Sequence, residues 1–520
     1  MSHEWGSVLQ ATEELAAVPV DRRHWIGGER VDSGGRELEV FSPIDGSPLG
    51  AVAAGGPEEV DAAVGAARAA APGWAGLGAD RRGRILDRFA DAILDHREEL
   101  ALVETVDNGS LQVGNVKRVV NRAAQNIAFF ADEARSLQPE PFRGEVVENH
   151  VRYEPAGVAA LVTPWNAPLM LSTWKVGPAL AAGNTVVLKP PEWAPLSCSL
   201  LATIADEAGV PAGVLNVVQG RGDEAGQALV SHHDVDRISF TGSTDTGRSV
   251  AAHAAASVTP VSLELGGKSP FVVFADADLD AAAATVAQQF TNAGQVCLAG
   301  TRVLVERSIA DDFRARLRDA TALATVGDPR RPGVRVGPLI HPRQLARVEG
   351  FVERALDRGA RALVGGGRHP SGGLYYQPTI LDHVEPDAEI VQNEVFGPVL
   401  TWQTFTGDDE AVALANATRY GLAAVLFTRD RARAERTAAR IVAGTVWVNC
   451  YFVRDLAAPF GGARMSGIGR EGGIWSFDFF CDVKNVAMRN GSFARPDVGN
   501  GGGLGRGPGR GPGAGAGRHG

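Results

Sequence analysis

Val158-Ala-Ala-Leu-Val-Thr-Pro-Trp-Asn166 is an apolar run of strand length that ends in a proline-bracketed turn. An apolar run without polar alternation is a strand buried on both faces, as in a parallel sheet covered by helices. The same form recurs at Thr185-Val-Val-Leu188, Val214-Leu-Asn-Val-Val218 and Arg237-Ile-Ser-Phe240, with helical stretches between them. This rhythm predicts an α/β sheet with helices on both faces. A second series, Pro270-Phe-Val-Val-Phe274, Thr301-Arg-Val-Leu-Val305, Ala424-Val-Leu-Phe427 and Gly444-Thr-Val-Trp-Val448, predicts a second α/β domain. Upstream, Glu58 to Ala70 and Arg81 to Val103 carry apolar residues at helical spacing and read as amphipathic helices. Gln138 to Glu154 and Phe477 to Met488 fit neither sheet and read as extended strands away from the main body. Gly499 to Gly520 has almost no apolar side chains to offset the entropy of ordering, and is expected to be a disordered tail.

A chain of 520 residues exceeds one compact core, so two or three domains are expected. With 44% hydrophobic and 22% charged residues, global disorder is excluded. The net charge of -10, with basic residues scattered among acidic ones, argues against nucleic acid as a partner. The apolar runs stop well short of the roughly 20 residues that cross a bilayer, so no membrane association is expected. Met1-Ser2-His3-Glu4-Trp5 opens without a basic and apolar leader, which points to the cytoplasm. Cys198, Cys297, Cys450 and Cys481 are too dispersed for a disulfide framework or a zinc site, which leaves room for a reactive thiol.

Two glycine-rich loops are candidates for phosphate. Gly467-Ile-Gly-Arg-Glu-Gly472 has the G-x-G-x-x-G spacing but follows no strand, so it reads as a loop near a pocket. Phe240-Thr-Gly242-Ser243-Thr-Asp-Thr-Gly247 lies between a strand and a helix, where glycines admit a close backbone and the helix start offers free N–H groups. Its plain alternative is a Ser/Thr helix cap. Leu263-Glu264-Leu265-Gly266-Gly267-Lys268 sets a carboxylate in an apolar run, where desolvation raises its pKa toward that of a general base, unless it is a capping or ion-paired Glu. Asn292-Ala-Gly-Gln-Val-Cys297-Leu-Ala-Gly300 places one Cys among small residues that leave a substrate access, and a partly ionised thiol there is a nucleophile. The turn around Asn166 aims a side-chain amide that can donate to a developing oxyanion, and turn formation alone is the alternative.

Taken together with Lys189-Pro-Pro-Glu192, Glu394-Val-Phe396-Gly-Pro398 and Pro459-Phe-Gly-Gly, these motifs run in the order of one family. From about Trp25 to Met488 the chain resembles the aldehyde dehydrogenase superfamily. The resemblance implies an α/β fold of three parts. A Rossmann-like NAD-binding domain comprises residues 1–137 and 156–264, and a catalytic domain residues 265–476. A small β element for oligomerisation comprises residues 138–155 and 477–490, ahead of a tail at 491–520. It implies a homodimer or homotetramer, NAD as cofactor, no metal, and a small-molecule aldehyde as substrate.

Position by position, it implies Cys297 as nucleophile, Asn166 with the Cys297 N–H as oxyanion hole, and Glu264 as activator of water. Lys189 and Glu192 match the adenosine-ribose contacts, Ser243 and Gly242 the pyrophosphate loop, and Glu394 and Phe396 the nicotinamide ribose and ring. Thr163, Trp165 and Leu265 fall on the same cofactor side. A carboxylate at Glu192 implies NAD over NADP, since it repels a 2'-phosphate. Arg464 stands where many relatives have Lys, which puts only the local loop geometry in doubt.

The stretch Val448 to Gly462 looks like the hydroxymuconic-semialdehyde branch. There Arg454 before Asp455-Leu, with Arg122 in Asn121-Arg-Ala-Ala-Gln-Asn126, is implied to bind a substrate carboxylate. The alternatives are Arg454 paired with Asp455 or another acid, and Arg122 as a solvated helix residue. A general aliphatic or aromatic aldehyde dehydrogenase is the competing reading within the family. A cysteine hydrolase would need a partner His motif that is not visible, a CoA-acylating enzyme would usually lack Glu264, and a non-catalytic scaffold of the same fold would be expected to have lost Cys297 or Glu264.

Overall fold

The computed structural model describes residues 9–137 and 139–491. The chain divides into two units, residues 1–137 with 153–483, and residues 138–152 with 484–520. The expected tail at 491–520 falls, from residue 492 on, outside the described residues.

The larger unit holds both predicted sheets. In the first, five parallel strands are β1 (Val158–Val162), β2 (Thr185–Lys189), β3 (Leu215–Val217), β4 (Arg237–Thr241) and β5 (Val261–Glu264), in the spatial order β3-β2-β1-β4-β5. All residues of β1 and β2 are buried, as a doubly covered parallel strand requires. The strand order reverses between β1 and β4, and ligands of such sheets sit in the crevice at the carboxyl ends of the strands flanking that point. Here those ends carry Thr163 to Asn166 and Gly242-Ser243. Antiparallel strands His24–Ile26 and Glu29–Val31 extend the β3 edge.

The second sheet is also mostly parallel. Its order is Arg361–Val364 (antiparallel), Thr379–Asp382, Val399–Phe405, Arg302–Glu306, Pro270–Val273, Ala423–Phe427 and Thr445–Val448. Phe271 and Phe427 stack in its core at 5.3 Å. Four predicted strands fall in each sheet where expected. Thr379–Asp382, Val399–Phe405 and the hairpin Glu37–Phe41 with Pro48–Ala53 were not expected, because their apolar runs are short or broken by polar residues.

Three readings need correction. Phe477 to Phe480 is not strand but the end of helix Gly473–Phe480. Gly473, Ser476, Phe477 and Phe480 are the buried residues, a helical period that two flanking aromatics disguise as alternation. Cys481–Arg489 is extended, in a three-stranded sheet with Phe142–Arg143 and Val147–Pro155. The helix expected from Arg81 to Val103 is two, Gly78–Asp95 and Arg97–Asn108. They break at His96 (φ -89°, ψ 22°), whose ring is tied to Glu99 and Glu207. Finally, Gly467–Ile468 is not simply loop but pairs antiparallel with Leu263-Glu264.

Candidate active site

Cys297 follows a sharp kink. Asn292 and Ala293 have φ of 55° and 52°, and Gly294 has φ of 68°. A Cβ on Gly294 would lie 2.1 Å from the Gly397 carbonyl oxygen, so only glycine lets this loop press against the segment after Phe396. The Gly266-Gly267 pair works the same way. A Cβ on Gly267 would meet the Cys297 carbonyl oxygen at 2.6 Å, and one on Gly266 the Glu394 carboxylate at 2.3 Å. Bare backbone after Glu264 thus brings Cys297 and Glu394 close to the end of β5.

Asn166 is cross-tied to the cysteine loop. Its Nδ2 donates to the Gln295 carbonyl (2.9 Å), and Asn292 Nδ2 donates to the Asn166 carbonyl (2.9 Å). One N–H of the Asn166 amide is thereby used to fix its direction, and the second is left to donate elsewhere.

Glu264 is buried, and neither carboxylate oxygen has a hydrogen-bond partner. It is neither a helix cap nor ion-paired. Burial first, and then the charge of Glu471, hold its pKa well above the ordinary carboxylate range, against the opposing pull of Lys175, Arg454 and Arg470. Burial also pushes the half-buried Cys297 thiol up to about 12, with Glu394 and Glu264 adding to it. The expectation of a partly ionised thiol therefore does not hold for the free site, because two nearby carboxylates and an apolar surround disfavour the thiolate. Its deprotonation requires a base.

The sequence did not single out Lys175 and Glu471. They form a buried ion pair at 2.7 Å, and Glu471 also accepts from Trp174 Nε1 at 2.5 Å. The signal for Lys175 was a lone charge inside the apolar helix Pro168–Ala182.

Arg122 and Arg454 are brought together, though not as two parallel guanidiniums. Arg122 Nη2 donates to the main-chain carbonyl of Arg454 at 2.7 Å. The Arg454 guanidinium lies over the rings of Phe460 (3.8 Å) and Trp174 (4.7 Å). Among the described residues it makes no salt bridge, to Asp455 or to any other acid, and Arg122 is half-buried rather than solvated. Burial and then the charge of Arg122 lower Arg454 to about 10, and its charge reaches both Cys297 and Glu264.

The remaining motif residues line the crevice or back it. Lys189 is buried at the end of β2, which lowers it to about 8, with its Nζ 3.9 Å from Glu192. Glu192 Oε2 accepts from Gly222 N–H at 2.7 Å, and Glu394 Oε1 accepts from Gly267 N–H at 3.0 Å. Ser243 is the N-cap of helix Thr244–Ala255, its Oγ accepting from Thr246 N–H, so the plain cap reading is correct for its side chain. Trp165 packs edge-on against Phe396 at 5.2 Å. Thr163 and Leu265 point inward, Thr163 to the Ser172 hydroxyl (3.0 Å) and Leu265 against Gly247, where a Cβ would meet it at 2.3 Å. Arg464 Nη1 donates to the carbonyls of Asn416 and Thr418.

Two open α/β sheets, the kinked loop that carries Cys297, the desolvated Glu264 and a crevice at the strand-order reversal define an α/β protein with a candidate catalytic site. The chain belongs to the aldehyde dehydrogenase family, whose model matches residues 30–486. It is similar to the 2-hydroxymuconic semialdehyde dehydrogenase of Pseudomonas sp. (strain CF600), 43% identical over 481 residues that cover 90% of this chain and 99% of that protein. Among solved structures, HpcC from Thermus thermophilus superposes with a TM-score of 0.91 at 43% identity, covering 94% of this chain and 98% of that one. The P. syringae AldA indole-3-acetaldehyde dehydrogenase, solved as a mutant in complex with NAD+ and IAA, superposes with a TM-score of 0.90 at 39% identity, covering 92% and 99%. Among the described residues no helix is long and apolar enough to cross a membrane.

Proposed function

We propose that this enzyme oxidises a semialdehyde carrying a carboxylate to the corresponding acid, using NAD and water. The observation that carries the substrate class is Arg454, a guanidinium near Cys297 that has no carboxylate partner among the described residues and is held by Arg122 through its backbone. A guanidinium keeps its charge on burial and binds a carboxylate with two parallel bonds, so a substrate acid supplies the missing partner. The 2-hydroxymuconic semialdehyde relative supports the same class.

The residues fit a dinucleotide. Glu192 and Glu394 each have one oxygen fixed by a backbone N–H and the other without a hydrogen bond among the described residues, as a pair of ribose hydroxyls requires. Lys189 stands beside Glu192, and helix Thr244–Ala255 starts at the strand-order reversal, where its free N–H groups suit a pyrophosphate. The Glu192 carboxylate disfavours a 2'-phosphate, which favours NAD over NADP.

In the first step Glu264 takes the thiol proton as Cys297 Sγ bonds to the aldehyde carbon, and the oxyanion receives the second Asn166 N–H and the Cys297 N–H. A bound NAD would supply the hydride acceptor, and loss of hydride from the adduct leaves the acyl group on Cys297 as a thioester. Glu264 releases the thiol's proton to solvent and, unpaired and with a raised pKa, then takes a proton from water as the water oxygen attacks the thioester, passing it to the departing sulfur. Cys297 leaves as the thiol, and the net products are acid, NADH and one proton.

Residues 1–137 with 156–264 serve as the cofactor domain and 265–476 as the catalytic domain. Residues 138–155 with 477–490 serve oligomerisation, and Phe142, Val146, Val483 and Met488, exposed on or beside the three-stranded sheet, suit burial against a partner copy as homodimer or homotetramer. NADH formation from a carboxylated semialdehyde and from an uncharged aldehyde of equal length tests the substrate reading. Equal kcat/KM for the two would refute it.

A further inference from the structure

Four aromatic rings form a ladder between the two sheets' halves of the crevice. Phe396 packs edge-on to Trp165 at 5.2 Å, Trp165 lies 6.0 Å from Trp193, and Trp193 stacks face to face on His341 at 4.4 Å and 6°. Trp165 and Trp193 belong to loops of the first sheet, after β1 and β2, whereas Phe396 and His341 belong to the half built on the second sheet. The ladder runs from the residues assigned to the nicotinamide ribose (Glu394, Phe396) to those assigned to the adenosine ribose (Lys189, Glu192).

The outer rung differs from the others. Trp193 directly follows Glu192 and is only partly buried, and its indole N–H makes no hydrogen bond among the described residues. The loop beneath it is fixed by the Glu192 bond to Gly222 N–H. On the other side, His341 is locked in place because its Nδ1 accepts from Arg343 N–H at the start of helix Pro342–Asp357. Each ring is thus carried on its own half, and between these two side chains the ring contact is the only link among the described residues. A contact of this kind is strong enough to bias an opening motion and weak enough to break in each turnover.

We propose that the Trp193–His341 stack is a strap across the cofactor crevice that slows departure of the dinucleotide. The inference rests on the cofactor reading above, in which the dinucleotide is held by Glu192 on one half and Glu394 on the other, with the stack standing beside Glu192. Trp193 is therefore a positioning residue for cofactor residence, with no part in the thioester chemistry.

The test is the rate of NADH dissociation, followed by stopped-flow fluorescence after displacement with excess NAD, in the full-length enzyme. Trp193→Ala and His341→Ala should each speed release by about three- to ten-fold, the range expected for losing one ring stack. The double variant should be no faster than the faster single, because both remove the same contact, and Trp193→Phe should restore most of the slow release. Release unchanged within about two-fold, or fully multiplicative effects in the double variant, would overturn the strap. If the wild-type enzyme binds no NADH at all, the cofactor reading itself fails and the strap fails with it. A melting temperature in each variant equal to that of the wild type separates loss of the strap from loss of folding, and if either alanine variant unfolds, Trp193→Phe against Trp193→Leu decides the same question.

Discussion

Replacing Arg454 by Ala should weaken a carboxylated semialdehyde selectively. In the free site this guanidinium lies over Phe460 and Trp174 and has given up water without gaining an acid, so a substrate carboxylate breaks no existing ion pair when it binds. A hydrogen bond to a charged group contributes about 1.5–3 kcal/mol net. The site is only partly buried, so solvent screening reduces a two-bond contact to roughly the value of one bond. A loss of about 1.5–3 kcal/mol corresponds to a rise of roughly ten- to 150-fold in KM for the charged substrate. Arg454→Met keeps an unbranched stem over the two rings and removes only the charge, so it should reproduce the loss while sparing the packing. The assay is initial-rate NADH formation with a carboxylated semialdehyde and with an uncharged aldehyde, for wild type and both variants. Parallel losses on both substrates would refute the reasoning, because they would mean that Arg454 supports the loop around Cys297 rather than the substrate.

Cys297→Ala should abolish NADH formation, and Glu264→Gln, which removes the base for both the thiol and the water, should form at most one equivalent of NADH per site, slowly, and then stall. Steady turnover by Glu264→Gln with no burst would remove Glu264 from the hydrolytic step. Glu192→Gln should raise kcat/KM with NADP several-fold relative to NAD, because the carboxylate that repels a 2'-phosphate is gone, and an unchanged ratio would count against the cofactor assignment. On helix Arg97–Asn108, Glu104 is fully enclosed and burial raises it to about 7. The folded state holds this proton more tightly than the unfolded chain, so the group's contribution is fully present below about pH 4.5 and is lost as pH rises through about 7. Glu104→Gln should therefore gain stability relative to wild type between pH 5 and pH 8, by up to roughly 3 kcal/mol, measured by chemical denaturation at both values. An identical difference at the two pH values would show that Glu104 does not titrate in this window.

What the sequence determined by itself was whatever is local in the chain. Buried parallel strands show themselves because an unbroken apolar run has one stable use in a soluble α/β protein, and Val158–Val162 and Thr185–Lys189 lie where such runs predict. Cys297, Glu264 and Asn166 stood out as candidates from small neighbours, an apolar surround and a fixed turn, but each had a plain alternative, and it was the order of the motifs together that pointed to a family and to roles for them. The helix Gly473–Phe480 was misread because adjacent aromatics blur a period of 3.6 into one of 2.

What only the tertiary structure decided is whatever depends on partners far apart in the chain. The ionisation of Cys297 is one case, since Glu264 and Glu394, remote in sequence, join burial in holding the thiol protonated. The freedom of Arg454 is another, because whether a guanidinium finds an acid depends on every segment around it. The Lys175–Glu471 pair spans nearly three hundred residues, and the Trp193–His341 stack joins loops of different sheets. Desolvation, charge pairing and ring stacking are properties of a packed environment, and that environment is assembled by the fold rather than written at any one position.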